Sequence, residues 1–275
     1  MTTKRFTSVG VVGLGYVGNA VRRWFLKHPQ RFRVLLYDKY KRVGSFEEIN
    51  KADIIFVAVP TPFHSIRGYD DSAVEEVLNG IGDGKIIVIK STILPGSSDA
   101  WQKRYPRKII LFNPEFLRAK SAVADFAKPA RQIIGFVGPR GYAAARRVLA
   151  ILPPAPYQRV VKAREAEMIK YFSNTYLATR VVFANQMYDV CERLGGINYD
   201  VVKECLVQDK RIGDSHFDIF HEGYRGYSGG CFPKDVNAFL QFTKRLRVPM
   251  DVLEVVARIN ARLLRLPRRK MRTKK

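Results

Sequence analysis

Apolar runs and polar breaks alternate along the first half of this chain, at strand and helix periods in turn. Phe6-Thr7-Ser8-Val9-Gly10-Val11-Val12 reads as a buried strand that enters Gly13-Leu14-Gly15-Tyr16-Val17-Gly18, after which Ala20, Val21, Trp24 and Phe25 recur at helical spacing. A second apolar strand, Arg33 to Tyr37, ends at Asp38, and a third, Asp53 to Val59, stops at Pro60. Further strands fall at Lys85 to Lys90, Lys108 to Phe112 and Gln132 to Val137, with helical segments between several of them. Strand–helix alternation of this kind predicts an α/β fold with a doubly wound parallel sheet.

The pattern changes at Pro153-Pro154-Ala155-Pro156. Ala163 to Leu194 holds neither proline nor glycine, and Ile169, Phe172, Tyr176, Phe183, Met187 and Val190 keep a helical repeat, which predicts one long helix ended by Gly195-Gly196. A short helix over Tyr199 to Leu206 follows, then a loop rich in glycine and aromatics from Gln208 to Cys231. Two more helices are expected over Lys234 to Leu246 and Asp251 to Leu266. The expected organisation is a sheet domain over 1–156, an all-α central domain over 157–266 built on the long helix, and a basic tail over 267–275.

Composition narrows the function classes. With 275 residues and 47% hydrophobic content, the chain is long enough for two packed domains and unlike a disordered or collagenous one. No stretch approaches the roughly 18 to 20 uninterrupted apolar residues of a membrane span, so a cytoplasmic protein is expected. Cys191, Cys205 and Cys231 have unrelated spacings and no CxxC pair, which predicts reduced thiols and no metal site. The formal charge of +23 draws such a protein towards nucleic acid, anionic membrane surfaces or phosphorylated metabolites without choosing among them. Much of the excess sits in Arg258, Arg262, Arg265, Arg268, Arg269, Lys270, Arg272, Lys274 and Lys275, either a solvated face or an anion contact.

Five local patterns carry chemistry. The glycine turn follows a strand, opens a helix and is succeeded by a strand ending in an acid, the context of a Rossmann-type NAD site. Its candidate cofactor residues are Gly13, Gly15, Tyr16, Val17 and Gly18, with Asp38 accepting from the adenosine ribose and Arg42 beside it; Lys39, Lys41 and Arg42 blur the preference for NAD over NADP. Val59-Pro60-Thr61-Pro62 and Ser91-Thr92-Ile93-Leu94-Pro95-Gly96 each follow a strand, so Thr61 and Thr92 either line the nicotinamide end or satisfy loop and helix ends. Lys170 and Asn174, four apart on the long helix, are either an oxyanion pair or a solvated polar face. Glu115, between Pro114 and Phe116, sits where burial would raise a carboxyl towards the range of a general base. Finally, Gly226-Tyr227-Ser228-Gly229-Gly230-Cys231-Phe232-Pro233-Lys234-Asp235 sets a cysteine in a glycine turn beside a lysine and a carboxylate, either a reactive thiol or a quiet surface turn.

These blocks in this order resemble the UDP-glucose/GDP-mannose dehydrogenases, a family that oxidises a sugar C6 alcohol to the carboxylate with two NAD. The likeness runs through GLGYVG at 13–18, VPTP at 59–62, STILPG at 91–96, NPEFLR at 113–118, AEMIKYFSNTYLATRVVFAN at 166–185, RIG at 211–213 and GGCFPKD at 229–235. The more distant β-hydroxyacid dehydrogenases share the nucleotide domain and a Lys/Asn helix pair but lack the cysteine block. The resemblance implies that Cys231 traps the aldehyde as a thiohemiacetal, later a thioester, while Lys170 and Asn174 stabilise the oxyanion. It implies that Asp235 with Thr92 activates water, Glu115 assists hydrolysis and Lys234 lies near cofactor and substrate. Phe116, Leu117, Arg118 and Gly229 would contact a nucleotide sugar or other phosphorylated substrate, with Glu115, Lys170 and Asn174. Arg211 would reach a neighbouring subunit's site in a homodimer built on the long helix.

The likeness ends with the central domain, so a short form without the family's C-terminal UDP-binding domain is expected. The stretch from Asp38 to Asp53 is shorter than in the family, and Ala119, Ser228 and Gln186 stand where the family has glutamate, glycine and glutamate. Two substrates fit these features: a nucleotide sugar held partly by the basic surface, or a smaller phosphorylated or acidic alcohol. A non-catalytic NAD- or nucleic-acid-binding module is the reading from another class, and the retained Cys231, Lys170, Asn174 and Asp235 argue against it.

Overall fold

The computed structural model describes residues 7–268. It divides into two compact units, Met1–Lys170 and Tyr171–Lys275. The basic tail anticipated over 267–275 lies outside the described residues from Arg269 onward.

The first unit carries strands β1 (Thr7–Val12), β2 (Phe32–Tyr37), β3 (Ile54–Val57), β4 (Phe63–His64), β5 (Gly68–Tyr69), β6 (Ile86–Ile89), β7 (Ile109–Phe112), β8 (Arg131–Phe136) and β9 (Tyr157–Lys162). Its helices are α1 (Tyr16–Leu26), α2 (Phe46–Ile49), α3 (Ser72–Gly80), α4 (Ser97–Arg104), α5 (Ala122–Ala127) and α6 (Gly138–Leu149). The seven-stranded sheet runs β2-β1-β3-β6-β7-β8-β9, parallel throughout except where β7 meets β8. Strands alternate their apolar side chains between two cores, as a sheet covered on both faces requires. Ile54, Phe56, Ile86, Val88 and Leu111 pack on one face with Ala20, Val21 and Phe25 of α1 and Ala144, Ala145 and Val148 of α6. Ile55, Val57, Ile87, Ile89, Ile110 and Phe112 face the other way, against Val74, Val77 and Leu78 of α3 and Trp101 of α4. The order places β2 and β3 on opposite sides of β1, so the glycine turn leaves the sheet where the winding reverses.

A boundary at 156 does not match this architecture. Residues after the proline cluster form β9, which pairs in parallel with β8 over six positions and closes the sheet, so the first unit extends to Lys170. Helix α7 (Ala163–Leu194) begins directly after β9, where the Glu165 carboxylate accepts from Lys162 N at 2.9 Å. The 32-residue helix matches the expected span, about 48 Å at 1.5 Å per residue. Gly195 and Gly196, at φ of 68° and 67°, end it in the left-handed region.

The second unit continues α7 and adds α8 (Tyr199–Leu206), α9 (Phe232–Arg245) and α10 (Asp251–Leu263). It is not wholly helical, because β10 (Phe220–His221) and β11 (Tyr224–Arg225) form a short hairpin before the cysteine loop. Ala184 and Cys191 of α7 pack with Tyr199, Phe217 and Ile219, and Tyr171 stacks on Phe239 of α9 at 5.2 Å between ring centres.

The sheet and the start of α7 approach so closely at Gly135 that a Cβ there would lie 2.8 Å from Ala166 Cβ and 2.9 Å from Ala163 Cα. Gly135→Ala is expected to destabilise the first unit by about 1–3 kcal/mol through overpacking. Both tryptophans, Trp24 and Trp101, lie in this unit, so urea unfolding followed by their fluorescence reads the effect; an unchanged midpoint would show that α7 yields at this contact.

Candidate active site

The glycine turn has the geometry of a dinucleotide cradle. Gly13 adopts φ 84°, and a Cβ there would sit 2.5 Å from Ala58 O. At Gly18 a Cβ would meet Gly13 O at 1.8 Å, so strand and helix close only on glycine. Gly15 has open space where its Cβ would be, leaving backbone at the start of α1 accessible to a phosphate. Beside it lies an open recess of about 570 Å³, whose lining includes Gly15, Tyr16, Asn19, Arg22, Arg23 and Lys41. Val17 occupies the first turn of α1.

Asp38 directly follows β2 and faces the glycine turn. It is buried, and its carboxylate accepts from Leu14 N at 2.7 Å and Lys41 N at 2.9 Å, which ties the acid to the glycine turn itself. Burial pushes this carboxyl up, but the backbone N–H groups of Leu14, Lys41 and Tyr40 outweigh it and hold the group below its ordinary value. Lys41 Nζ donates to Leu14 O at 2.5 Å, while Arg42 is exposed and adopts φ 54°.

The two hydroxyl loops are laced together. Thr61 Oγ1 and Tyr69 Oη both donate to Thr92 O, at 2.9 and 3.1 Å, and Ser91 Oγ donates to Val59 O at 2.7 Å. The Thr61 hydroxyl therefore holds the Thr92 loop. Glu167, fully buried one turn before Lys170, accepts from Gly96 N at 2.6 Å and Ser98 N at 3.0 Å, anchoring the far end of that loop. Burial raises the Glu167 carboxyl above its ordinary value.

Lys170 is 3% exposed and Asn174 is 6%, which removes the solvated-face reading for both. Lys170 Nζ donates to Glu115 O at 2.8 Å and Oε1 at 2.7 Å, and Leu117 N donates to Glu115 Oε2 at 2.9 Å. The expected upward shift of Glu115 is reversed: burial pushes the carboxyl up, but the Lys170 ammonium and the Leu117 N–H bring it below the ordinary range. Glu115 is therefore an ionised carboxylate at neutral pH. Phe116 lies under the Arg131 guanidinium, 3.8 Å from the ring centre. Arg118 is directed to Asp125, with its Nη2 2.8 Å from the carboxylate, which holds Asp125 well below its usual range.

In the second unit, Cys231 immediately precedes α9, at the positive end of the helix dipole, with Pro233 in the first turn. Asp235, 1% exposed, accepts from Asn174 Nδ2 and from Lys234 Nζ, each at 2.5 Å. Gly229 takes φ 79° and is exposed. The loop is braced by Asn260 of α10, whose side chain bonds Tyr227 N at 2.7 Å and Tyr227 O at 2.9 Å. Arg211, on an exposed loop, pairs with Asp209 at 2.6 Å.

The candidate residues thus form two preorganised groups, Glu115–Lys170 with the Thr61–Thr92 loops in the first unit, and Asn174–Asp235–Lys234 with Cys231 in the second. Lys90, Asn113, Arg131 and Asn260 were not anticipated. A lysine ending the apolar run Ile86 to Ile89 was a signal for the first of these; the others read as ordinary strand, loop and helix polar residues. No group of metal-ligating side chains occurs among the described residues, and no helix among them is long and apolar enough to cross a membrane.

A strand, a glycine turn with forced glycines, a helix and an acid-ended second strand define a dinucleotide-binding unit, here joined to a helical unit carrying a cysteine loop. Comparison with known proteins agrees. Residues 36–152 match the NAD-binding domain, and residues 164–262 the central domain, of the UDP-glucose/GDP-mannose dehydrogenase family. The chain is 35% identical over 221 residues to a UDP-glucose 6-dehydrogenase of Rickettsia conorii, covering 78% of this chain and 50% of that one. It is 34% identical over 236 residues to the Pseudomonas aeruginosa UDP-glucose 6-dehydrogenase, with the same coverage of 78% and 50%. A solved UDP-glucose dehydrogenase from Pyrobaculum islandicum matches 95% of this chain and 69% of its own, at a TM-score of 0.82 and 31% identity. The chain belongs to the UDP-glucose/GDP-mannose dehydrogenase family, and its cofactor is NAD. It spans about half the length of the curated relatives it matches.

The Glu115–Lys170 pair generates a stability prediction. Glu115→Ala leaves a buried ammonium without its carboxylate and is expected to cost about 3–5 kcal/mol at neutral pH. Because Glu115 titrates lower folded than unfolded, its contribution is complete above the ordinary carboxyl value of 4.5 and is lost as pH falls through the folded value. The cost of the substitution, measured by urea unfolding, should therefore shrink in acid; a pH-independent cost would assign it to packing instead.

Proposed function

We propose that this protein catalyses NAD-dependent oxidation of a nucleotide-sugar C6 alcohol to the carboxylate. The observation that carries the reading is the placement of Cys231 at the positive end of α9, with Asp235 in the next turn held between Asn174 and Lys234. A thiol presented there suits addition to a carbonyl, and the buried carboxylate suits handling of water.

The Gly13–Gly18 turn and Asp38 would hold NAD, which would supply the hydride acceptor for both oxidations. Loss of a hydride to that acceptor and of a proton to solvent would convert the alcohol to the aldehyde. Cys231 Sγ bonds to the aldehyde carbon, the thiol proton passing to the former carbonyl oxygen to give a thiohemiacetal. A second such oxidation, with loss of a hydride and the hydroxyl proton, would give the thioester. Water adds to its carbonyl carbon, the C–S bond breaks, and the sulfur regains a proton as the acid leaves. The reaction sequence would consume two hydride acceptors and one water per sugar. Lys170 Nζ and the Asn174 amide are assigned the developing oxyanion, Asp235 and Thr92 the water, and the ionised Glu115 carboxylate a proton-accepting part in hydrolysis. Loss of one oxyanion donor typically costs about 3–4 kcal/mol of barrier.

Incubation with NAD and a panel of sugar nucleotides, following NADH, tests the reading. Two NADH per sugar are expected from the intact protein. Cys231→Ala should yield at most one, and a variant that still produced two would remove the covalent route. Turnover of a simple phosphorylated alcohol in place of every sugar nucleotide would remove the substrate class.

We further propose a homodimer through α7. Phe172, Tyr176, Phe183 and Leu194 are 71%, 54%, 55% and 69% exposed, and an apolar stripe of this kind is the mark of an association surface. Arg211, exposed on its loop, is then available to a neighbouring subunit. Phe172→Asp with Phe183→Asp should produce monomer in sedimentation velocity at concentrations where the unaltered chain is dimeric; an unchanged sedimentation coefficient would place the interface elsewhere.

A further inference from the structure

Lys90 stands outside the residues assigned to the reaction, yet it is 3% exposed and directly follows β6. Its Nζ donates to both Asn113 Oδ1 at 2.7 Å and Asn113 O at 3.1 Å. Asn113 is fully buried, and its own amide donates to Ile133 O on β8 at 2.7 Å. That contact falls where the backbone ladder between β7 and β8 has just ended, at Phe112 and Gly135. Two residues further on, Lys170 repeats the arrangement on Glu115, clasping its backbone carbonyl and its side-chain oxygen. Two buried lysines therefore grip the same loop on either side of Pro114, and one carboxylate faces them both.

We propose that Lys90 is a positioning residue for Glu115, holding through Asn113 the loop that carries the carboxylate and adding a second buried ammonium to its field. The kinetic part of this proposal rests on the oxidation reading above; the contact itself does not. The charged groups whose fields reach Lys90 are Glu115, on the loop after β7, and Lys170 of α7, while the ring of Phe126 from α5 lies 5.5 Å from the ammonium. Burial brings Lys90 down to about 7, with the Glu115 charge opposing and the Lys170 charge reinforcing that shift. Reciprocally, Lys90 joins Lys170 among the groups that hold Glu115 ionised.

Lys90→Met removes both the clasp and the charge, whereas Lys90→Gln keeps a donor for Asn113 Oδ1 and removes only the charge. The deciding measurement is the titration of the Glu115 carboxyl, followed by carbon NMR in the full chain with Glu115→Gln identifying the resonance. Both variants should raise the Glu115 titration by about one pH unit or more, the scale of a lost neighbouring charge. Under the oxidation reading, Lys90→Met should also lower kcat by about 100-fold with NAD binding unchanged, as small misplacements of a catalytic group do, and Lys90→Gln should lose less. A Glu115 titration unmoved in the variants overturns the proposal. If the unaltered chain oxidises no sugar nucleotide, the reading of function fails while the titration still decides the role of Lys90. If Lys90→Met does not fold, Lys90→Gln decides it alone.

Discussion

A buried ion pair organises the first unit at the edge of its sheet. Bringing Glu115 and Lys170 out of water costs several kcal/mol for each ion, and only close geometry with further hydrogen bonds returns it. Both conditions are met: the ammonium reaches carboxylate and carbonyl together, and Leu117 N occupies the other carboxylate oxygen. The pair ties the start of α7 to the loop after β7, and Glu167, one turn earlier, ties the same helix to the loop after β6. Two loops at the carboxyl edge of a parallel sheet are thus referred to one helix. Burial alone would have neutralised Glu115; the lysine reverses that and keeps the group ionised at neutral pH.

The second unit applies the same principle around Asp235. A nearly inaccessible carboxylate is held between an amide and an ammonium, so its orientation does not depend on solvent. The cysteine loop lacks regular structure yet is held at its root, where Asn260 completes both backbone groups of Tyr227 and Gly226 admits that side chain at close range. This brace from α10 fixes the path of the loop that leads into α9. Gly229 and Gly230 have open space where a Cβ would lie.

Much of the fold was legible because its signals are local. The helix over Ala163 to Leu194 lacks breakers and ends in paired glycines, and α8 follows an asparagine whose side chain caps it. The glycine turn was legible because steric exclusion at Gly13 and Gly18 permits no other residue. The domain boundary was not, because β9 has a polar, mostly exposed sequence and belongs to the sheet only through its pairing with β8. A proline cluster marks a change of direction, not the end of a sheet. Similarly, the sign of the Glu115 shift was beyond the sequence, since Pro114 and Phe116 predict burial, whereas the answer depends on a lysine 55 positions away.

By itself, the sequence determined the sheet class, the glycine turn and the long helix, because periodicity, glycine sterics and short motifs are written in neighbouring residues. It also supported family membership, which rests on ordered blocks and not on their arrangement in space. Tertiary structure alone decided which distant polar groups meet: that Lys170 belongs to Glu115, Asn174 to Asp235, and Lys90 to Asn113. These pairings depend on distance and solvent exclusion between segments far apart in the chain. No local pattern encodes either quantity.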